Sequence, residues 1–177
     1  CIRDSNRTYT LPQLYSYRAE NSAVLYNASS MLLLPDLLGY FLTGVKTTEM
    51  TIAGTSCLME NRQENWSIEV ARRFGIPEKL YTEIVEPRTF KGNLRQEIQI
   101  QTGMKNTRLV ATVGHDSAAA VAAIPDFGEN KLYISIGTNV SMGVERSECL
   151  LSREGYLKGF KNTGGIDRKK IIYRDFS

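Results

Sequence analysis

The sequence predicts a mixed α/β fold, and two features of its order along the chain lead to this prediction. Before about residue 105, apolar residues recur at helical spacing between short connections, which indicates a run of helices. After it, the β-branched segment Arg108–Val113 leads through a sharp turn into a helix of small residues, and a hairpin follows. This order of elements predicts a fold that contains both helices and strands.

The helix signals in the first part consist of an apolar stripe bounded by a capping residue, a proline or a glycine. They predict helices over residues 11–19, 35–43, 68–74 and 77–84. Pro35 suits the first helical position of the second helix, and Gly44 can end that helix. Asn65 or Ser67 can cap the third helix, which Gly75 ends. We expect the apolar residues of these helices to pack in a core and to carry no chemistry.

The longest apolar stretch, residues 31–42, is interrupted by Pro35, Asp36 and Gly39. It falls short of the roughly 20 apolar residues that a membrane-spanning helix needs, so we expect it to be buried in the core. Trp66, near the predicted start of a helix, is expected to be a packing residue as well.

Charge and cysteine content exclude several classes of protein. The 177-residue chain has a formal net charge of +3, and its charges are spread along the sequence, which gives no footprint for nucleic acid or for a membrane surface. Its three cysteines, Cys1, Cys57 and Cys149, are odd in number and far apart, so neither a disulfide framework nor a metal-binding pair is predicted. A cytoplasmic protein without nucleic-acid or membrane partners is the simplest expectation.

Asp116 is the main candidate for chemistry because it lies where the predicted strand ends and the predicted helix 117–124 begins. Functional groups often lie at this position in sheets with helical crossovers. Two roles stay open for it, a cap for the helix and an acid/base or phosphate-site carboxylate. His115, the only histidine, can bond locally or contact a substrate. A hydrolase triad with Ser117 is rejected, because three consecutive residues entering a helix point in different directions.

A β-hairpin is predicted from the strand patterns 131–136 and 140–145, which flank Gly137 and Thr138. Its tip is either only a turn or a small loop whose amides and hydroxyl face a phosphate. The turn-rich stretch 125–130 before the hairpin is the candidate domain boundary.

Two polar stretches near the end of the sequence have simple interpretations. Residues 162–165, with the sequence NTGG, are expected to form a turn. The basic run 168–170 is expected to be a solvated surface rather than a nucleic-acid contact.

Several motifs, taken together and in order, resemble those of the FGGY carbohydrate kinases. They are LPDLLGYFLTG (34–44), FGIP (74–77), GHDSAAAV (114–121), YISIGT (133–138) and MGVE (142–145). The similarity extends from about residue 8 to about residue 167. The first motif points to the rhamnulose branch of the family, whereas the GHD and GT elements are shared more widely.

The resemblance implies an actin-like, ribonuclease H-like α/β fold in which two domains close over a cleft, with sugar held by the first and ATP largely by the second. Residues 1–127 would be the C-terminal half of the sugar-binding domain, and residues 128–177 the start of the ATP-binding domain. By this resemblance the chain is expected to hold only part of such a kinase.

The resemblance also implies residue roles. Asp116 would be the catalytic base that takes the proton from the primary hydroxyl of the sugar, and it would contact the sugar together with His115 and Ser117. Gly137 and Thr138 would contact the nucleotide phosphates, with Mg²⁺ shared between them and no protein ligand assigned to the metal. The implied reaction transfers the γ-phosphate of ATP to L-rhamnulose or a similar ketose.

We expect the 177-residue chain to be inactive by itself, because phosphoryl transfer depends mainly on positioning and charge neutralisation by a complete site. The alternative is a non-catalytic remnant of a kinase that acts as a sugar-binding or interaction module. A hydrolase that used Ser117 would instead turn over esters without ATP.

Overall fold

The computed structural model of the protein describes residues 9–60, 62–125, 131–137 and 140–176. Its α-helices are α1 (Thr10–Ala19), α2 (Ala23–Asn27), α3 (Leu34–Thr43), α4 (Met50–Ala53), α5 (Ile68–Phe74), α6 (Gln96–Thr102), α7 (Asp116–Ala122) and α8 (Arg153–Leu157). Short 3-10 helices cover Gly54–Ser56 and Glu78–Leu80.

The strands lie mostly in small sheets in the first part and in one larger sheet at the end. In chain order they are β1 (Thr47–Glu49), β2 (Met59–Glu60), β3 (Asn65–Trp66), β4 (Glu83–Val85), β5 (Phe90–Asn93), β6 (Arg108–Val110), β7 (Leu132–Ile136), β8 (Val140–Arg146), β9 (Lys161–Gly164) and β10 (Lys170–Phe176). β1 and β4 pair in parallel, whereas β2 with β3 and β5 with β6 are antiparallel. The larger sheet has the order β7–β8–β10–β9 with antiparallel neighbours.

The core of the first part is built from two neighbouring clusters, one around Ala71 and Leu80 and the other around Leu58 and Trp66. Partly buried side chains belong to both clusters, namely Leu11, Leu14, Met31 and Tyr81. A further cluster joins α7 to the larger sheet through Ala118, Val121, Tyr133 and Ile171. The helix that begins at Asp116 is therefore fixed to both parts of the chain.

The predicted caps of two helices are confirmed. Pro35 lies in the first turn of α3, and Gly44 follows the helix with φ 81°. The Ser67 hydroxyl accepts a hydrogen bond from the Val70 amide at the start of α5, and Gly75 follows that helix with φ 66°. A residue with a Cβ is disfavoured at such positive φ values, which explains both glycines.

The predicted helix over 77–84 is wrong. Only Glu78–Leu80 forms a 3-10 turn, and Glu83–Val85 is a strand beside β1. The β-branched pair Ile84 and Val85 favours a strand once a partner strand is available. That partner lies far away in sequence, at Thr47–Glu49, so local periodicity could not reveal it.

Trp66 is a packing residue as predicted, but it lies in β3 rather than at a helix start. Its ring stacks on Tyr81 with 4.8 Å between ring centroids. Its indole N–H donates to the backbone carbonyl of Thr82 at 2.6 Å, so the polar edge of this buried ring is satisfied.

The interpretation of residues 162–165 as a turn is wrong, because Lys161–Gly164 is strand β9, paired with β10. The residues of the basic run 168–170 also differ in exposure, so the predicted solvated surface is correct for only part of the run. Arg168 is exposed as predicted, whereas Lys170 is buried in β10 and pairs with Glu64. Arg168 precedes the strand and Lys170 begins it, so only the second of them is drawn into the interior.

The expectation that residues 31–42 are core is wrong for one face of α3. Leu34, Leu38 and Phe41 are exposed, whereas Asp36 and Gly39, which interrupt the apolar run, are buried. The helix therefore directs the Asp36 carboxylate into the interior, towards the Lys91 ammonium.

The predicted element types after residue 105 are confirmed, with bounds that differ by up to three residues. The strand ends at Val110, the helix spans Asp116–Ala122, and β7 pairs with β8 as a hairpin. Most of the predicted domain boundary, residues 126–130, lies outside the described residues. Cys57 and Cys149 carry thiols and form no disulfide within the described part of the chain. No helix in the described ranges has the length and apolar character needed to cross a membrane.

Candidate active site at the His115–Asp116 turn

The turn between β6 and α7 is held by hydrogen bonds from its backbone to a distant segment. The Gly114 amide donates to Glu49 Oε2 at 2.9 Å, and the His115 amide donates to Thr51 Oγ1 at 3.2 Å. A Cβ at position 114 would lie 3.0 Å from Glu49 Oε2 and 3.3 Å from Ile52 Cβ. Glycine is favoured here because a Cβ would press on these two side chains at the β1–α4 junction.

Asp116 is the first residue of α7, and His115 occupies the N-cap position. The capping role considered for Asp116 is therefore wrong in detail. Its Oδ1 accepts a hydrogen bond from the next amide, that of Ser117, at 2.7 Å. The side chain is 96% exposed. A carboxylate in the first turn interacts favourably with the helix dipole, and this one is open to a ligand.

His115 lies between this exposed carboxylate and the interior. Its Nε2 is 3.6 Å from Asp116 Oδ1, and the side chain is 21% exposed. Burial lowers the pKa of His115 from its ordinary value of 6.5, and the charges of Asp116 and Glu49 oppose that shift only in part. His115 Nδ1 is buried and has no hydrogen-bond partner among the described residues. The imidazole is therefore neutral at neutral pH.

A buried ion pair lies next to Glu49, the residue that accepts the Gly114 amide of the turn. Lys91 Nζ donates to Asp36 Oδ1 at 2.7 Å, and both side chains are buried. The same Asp36 oxygen accepts the Glu49 amide at 3.1 Å. Burial raises the pKa of the Asp36 carboxyl above its usual value, although Lys91 acts in the opposite direction.

A pocket of about 500 Å³ opens beside His115. Its walls come from the 3-10 turn after α4, from α8 and from β9, and they include Thr55, Tyr156, Phe160 and Thr163. The hydroxyl of Thr163 is buried without a hydrogen-bond partner among the described residues. A pocket lined by aromatic and polar side chains is suited to a small polar ligand.

The predicted site residues are only partly brought together. His115 lines the pocket, while Asp116 and Ser117 are exposed next to it along the chain. Gly137 is exposed in the bend after β7. Thr138 lies outside the described residues, so the predicted phosphate contact of Gly137 and Thr138 stays a prediction.

Sequence reasoning missed Glu49, Thr51, Asp36 and Lys91. These residues come well before the turn that they support, and no local pattern connects them to it. The one available signal was Asp36, an acid within a leucine-rich helix, since an acid in an apolar run is seldom buried without a partner.

No group of three or more His, Cys, Asp or Glu side chains within the described ranges is arranged to hold a metal ion.

Comparison with known proteins gives consistent matches. Residues 6–123 match the family model described as the N-terminal domain of the FGGY family of carbohydrate kinases. A relative named rhamnulokinase from Bacteroides thetaiotaomicron is 35% identical over 158 residues, which are 89% of this chain and 33% of the relative. A rhamnulokinase from Enterococcus faecalis is 33% identical over 156 residues, or 88% and 31%. The chain spans about a third of the length of these curated relatives.

Solved structures agree on the fold. A xylulose kinase from Rhodospirillum rubrum aligns with a TM-score of 0.81 at 11% identity and covers 97% of this chain and 34% of its own. Plasmodium falciparum glycerol kinase, solved with ADP, aligns with a TM-score of 0.80 at 16% identity and covers 97% and 35%. This likeness confirms the predicted α/β fold class.

Proposed function

Because the chain belongs to the FGGY family of carbohydrate kinases, we propose that it supplies the sugar side of the active site of an ATP-dependent sugar kinase. The proposed acceptor is the primary hydroxyl of L-rhamnulose or a similar ketose, since the relatives above are named rhamnulokinases. The single observation that carries the proposal is the exposed Asp116 carboxylate, held at the start of α7 beside His115 and its pocket.

In the proposed reaction, Asp116 accepts the proton of the sugar hydroxyl as the oxygen of that hydroxyl attacks the γ-phosphorus of ATP, and ADP leaves. His115 is suited to a sugar hydroxyl because its imidazole is neutral and lines the pocket. Ser117, exposed one residue further along α7, is proposed as a second sugar contact. The aromatic walls of the pocket suit the apolar faces of a sugar.

Nucleotide binding is proposed for the hairpin tip. Gly137 and Thr138 would contact the phosphates of ATP, and Mg²⁺ would be held mainly by those phosphates. When bound, the metal neutralises charge that develops on the transferred phosphoryl group. Residues 1–127 are proposed as the later half of the sugar-binding domain and 128–177 as the start of the ATP-binding domain, which agrees with a family match that ends at residue 123.

The test is ADP release by the full-length protein with L-rhamnulose, L-xylulose, L-fuculose and glycerol, together with calorimetric sugar binding by the 177-residue chain. Sugar-dependent ADP release supports the kinase, and the most responsive sugar names the acceptor. We expect the chain by itself to bind sugar without turnover. Sugar binding without ADP release from the full-length protein would favour the non-catalytic module instead, and failure to bind any of the sugars would contradict both.

A further inference from the structure

Glu49 is a buried carboxylate with more hydrogen-bond donors than a helix cap needs. It is 2% exposed and precedes α4. Its Oε1 accepts the Thr51 amide at 2.9 Å, and its Oε2 accepts the Ile52 amide at 3.2 Å. These two bonds are ordinary N-capping. Oε2 also accepts the Thr51 hydroxyl at 2.5 Å and the Gly114 amide at 2.9 Å.

The Gly114 bond crosses 65 residues of sequence and ends two residues before Asp116. Thr51 adds a second hydrogen bond to the turn, because its side-chain hydroxyl accepts the His115 amide. One carboxylate and one hydroxyl therefore hold consecutive amides of the turn that carries the proposed base. A backbone held at consecutive amides has little freedom to shift or rotate.

The backbone of Glu49 is itself held by a hydrogen bond to a buried ion pair. Its amide donates to Asp36 Oδ1, which also accepts Lys91 Nζ. Asp36 lies in α3, so residues of β1 and β5 both donate to one carboxylate of that helix. The absence of a Cβ at Gly114 completes the arrangement, since a Cβ there would press on the Glu49 carboxylate.

We propose that Glu49 is the positioning residue of the active-site turn: its carboxylate fixes the Gly114–His115 backbone and thereby aims Asp116 and His115 at the substrate. This role rests on the proposed kinase function for its catalytic consequence. The hydrogen bond from the Gly114 amide to Glu49 does not depend on that function. Its effect on the turn can be measured without substrate.

The decisive variant is Glu49→Asp. Aspartate is a preferred N-cap and keeps the charge, so α4 remains capped. Its side chain is one methylene shorter and cannot reach the α4 amides and Gly114 together. We expect amide hydrogen exchange at Gly114 and His115, followed by NMR, to become about fivefold faster or more while exchange in α5 is unchanged. In the full-length protein, kcat should fall about tenfold or more, with KM changed less than about twofold.

Ser67→Ala is the matched control, because Ser67 caps α5 and lies outside the turn. It removes a cap, so it should lower stability without changing Gly114 exchange or kcat. Thr51→Val is the second variant in case Glu49→Asp does not fold. It removes the tie to the His115 amide and should accelerate exchange at that amide.

Unchanged exchange at Gly114 in a folded Glu49→Asp protein overturns the proposal whether or not the protein is a kinase. Faster exchange with undiminished kcat overturns the positioning role as well. If the wild-type protein releases no ADP with any sugar, the kinase function fails, and exchange at Gly114 alone then decides whether Glu49 holds the turn.

Discussion

Three carboxylates lie close to the candidate site, and their surroundings give them different roles. Asp36 and Glu49 are buried and engaged with donors of the protein, whereas Asp116 is almost fully exposed. A carboxylate that is buried in the protein cannot reach a substrate hydroxyl to take its proton. This difference supports the proposed base role of Asp116 and a structural role for Asp36 and Glu49.

Replacing Asp116 by Asn tests that assignment. The Asp116→Asn side chain would keep the shape and the local hydrogen bonding but could not take up a proton, so we expect kcat in the full-length protein to fall by about 100-fold or more. The free energy of unfolding should change by less than about 0.5 kcal/mol, because the side chain is exposed. Steady-state ADP release and urea unfolding measure the two effects. Glu69→Gln, in the first turn of α5, is the control acid and should leave both unchanged. Full activity in Asp116→Asn would exclude the base role.

The lowered pKa of His115 makes stability depend on pH. The unfolded chain takes up a proton on this histidine as the pH falls through about 6.5, while the folded chain resists it until lower pH. The contribution of His115 to the free energy of unfolding is therefore complete above about pH 6.5. It is lost as the pH falls towards the pKa that His115 has in the folded protein. We expect this part of the pH dependence to be missing from His115→Gln in urea unfolding between about pH 7 and pH 5. Parallel curves for the two proteins would show that burial does not lower this pKa. Since His115 is the only histidine, any difference is assigned to it.

At the scale of elements, the Asp36–Lys91 pair joins α3 to β5 in the interior. Each side chain is 6% exposed or less, and the amine and carboxylate are 2.7 Å apart. Removing one partner leaves a buried charge, so we expect Lys91→Met to lower the free energy of unfolding by about 3 kcal/mol or more. The double variant Asp36→Leu with Lys91→Met should recover much of that loss, and urea unfolding of all three proteins gives the coupling. Equal losses in the single and double variants would contradict the pairing.

Because one face of α3 is exposed, we expect a leucine on that face to contribute less to the free energy of unfolding than a leucine of the core. Leu38 is 57% exposed, whereas Leu58 is 0% exposed in the core beside Trp66. We expect Leu58→Ala to lower the free energy of unfolding by about 3 kcal/mol and Leu38→Ala by less than about 0.5 kcal/mol. Urea unfolding of the two variants of the 177-residue chain measures the difference. A similar loss in both would mean that the α3 face is covered in solution.

Sequence reasoning succeeded where structure is decided locally. Helix α5 was predicted with its cap and its terminating glycine because Ser67, the apolar stripe and Gly75 act within one or two turns. It failed at residues 77–84, where strand β4 pairs with the distant strand β1. It also failed at residues 162–165, because the glycine-rich sequence was read as a turn although it pairs with the neighbouring strand β10. Among the site residues, His115 and Asp116 stood out through their position and their motif. Glu49 did not, since its role depends on a contact 65 residues away.

At the scale of the whole molecule, the two parts of the chain are joined by charges as well as by the apolar cluster under α7. Lys170 in β10 pairs with Glu64, which lies 106 residues earlier, and the nearby Arg168 pairs with Glu86. The two basic residues differ in burial, because Lys170 is 5% exposed and the Arg168 side chain is 73% exposed. The buried link should therefore matter for stability, while the exposed one should not, since water and salt screen it.

This difference can be measured with two substitutions in one basic run. Lys170→Met leaves the half-buried Glu64 with the more distant Arg168 guanidinium, 3.9 Å away. We therefore expect the free energy of unfolding to fall by about 2 kcal/mol. Arg168→Met should leave urea unfolding unchanged within error. The loss from Lys170→Met should persist at about 0.5 M salt, because a buried pair is screened far less than an exposed one. If the two variants behaved alike, Lys170 would be solvated in solution, and the Lys170–Glu64 pair would not help to hold the larger sheet against the first part.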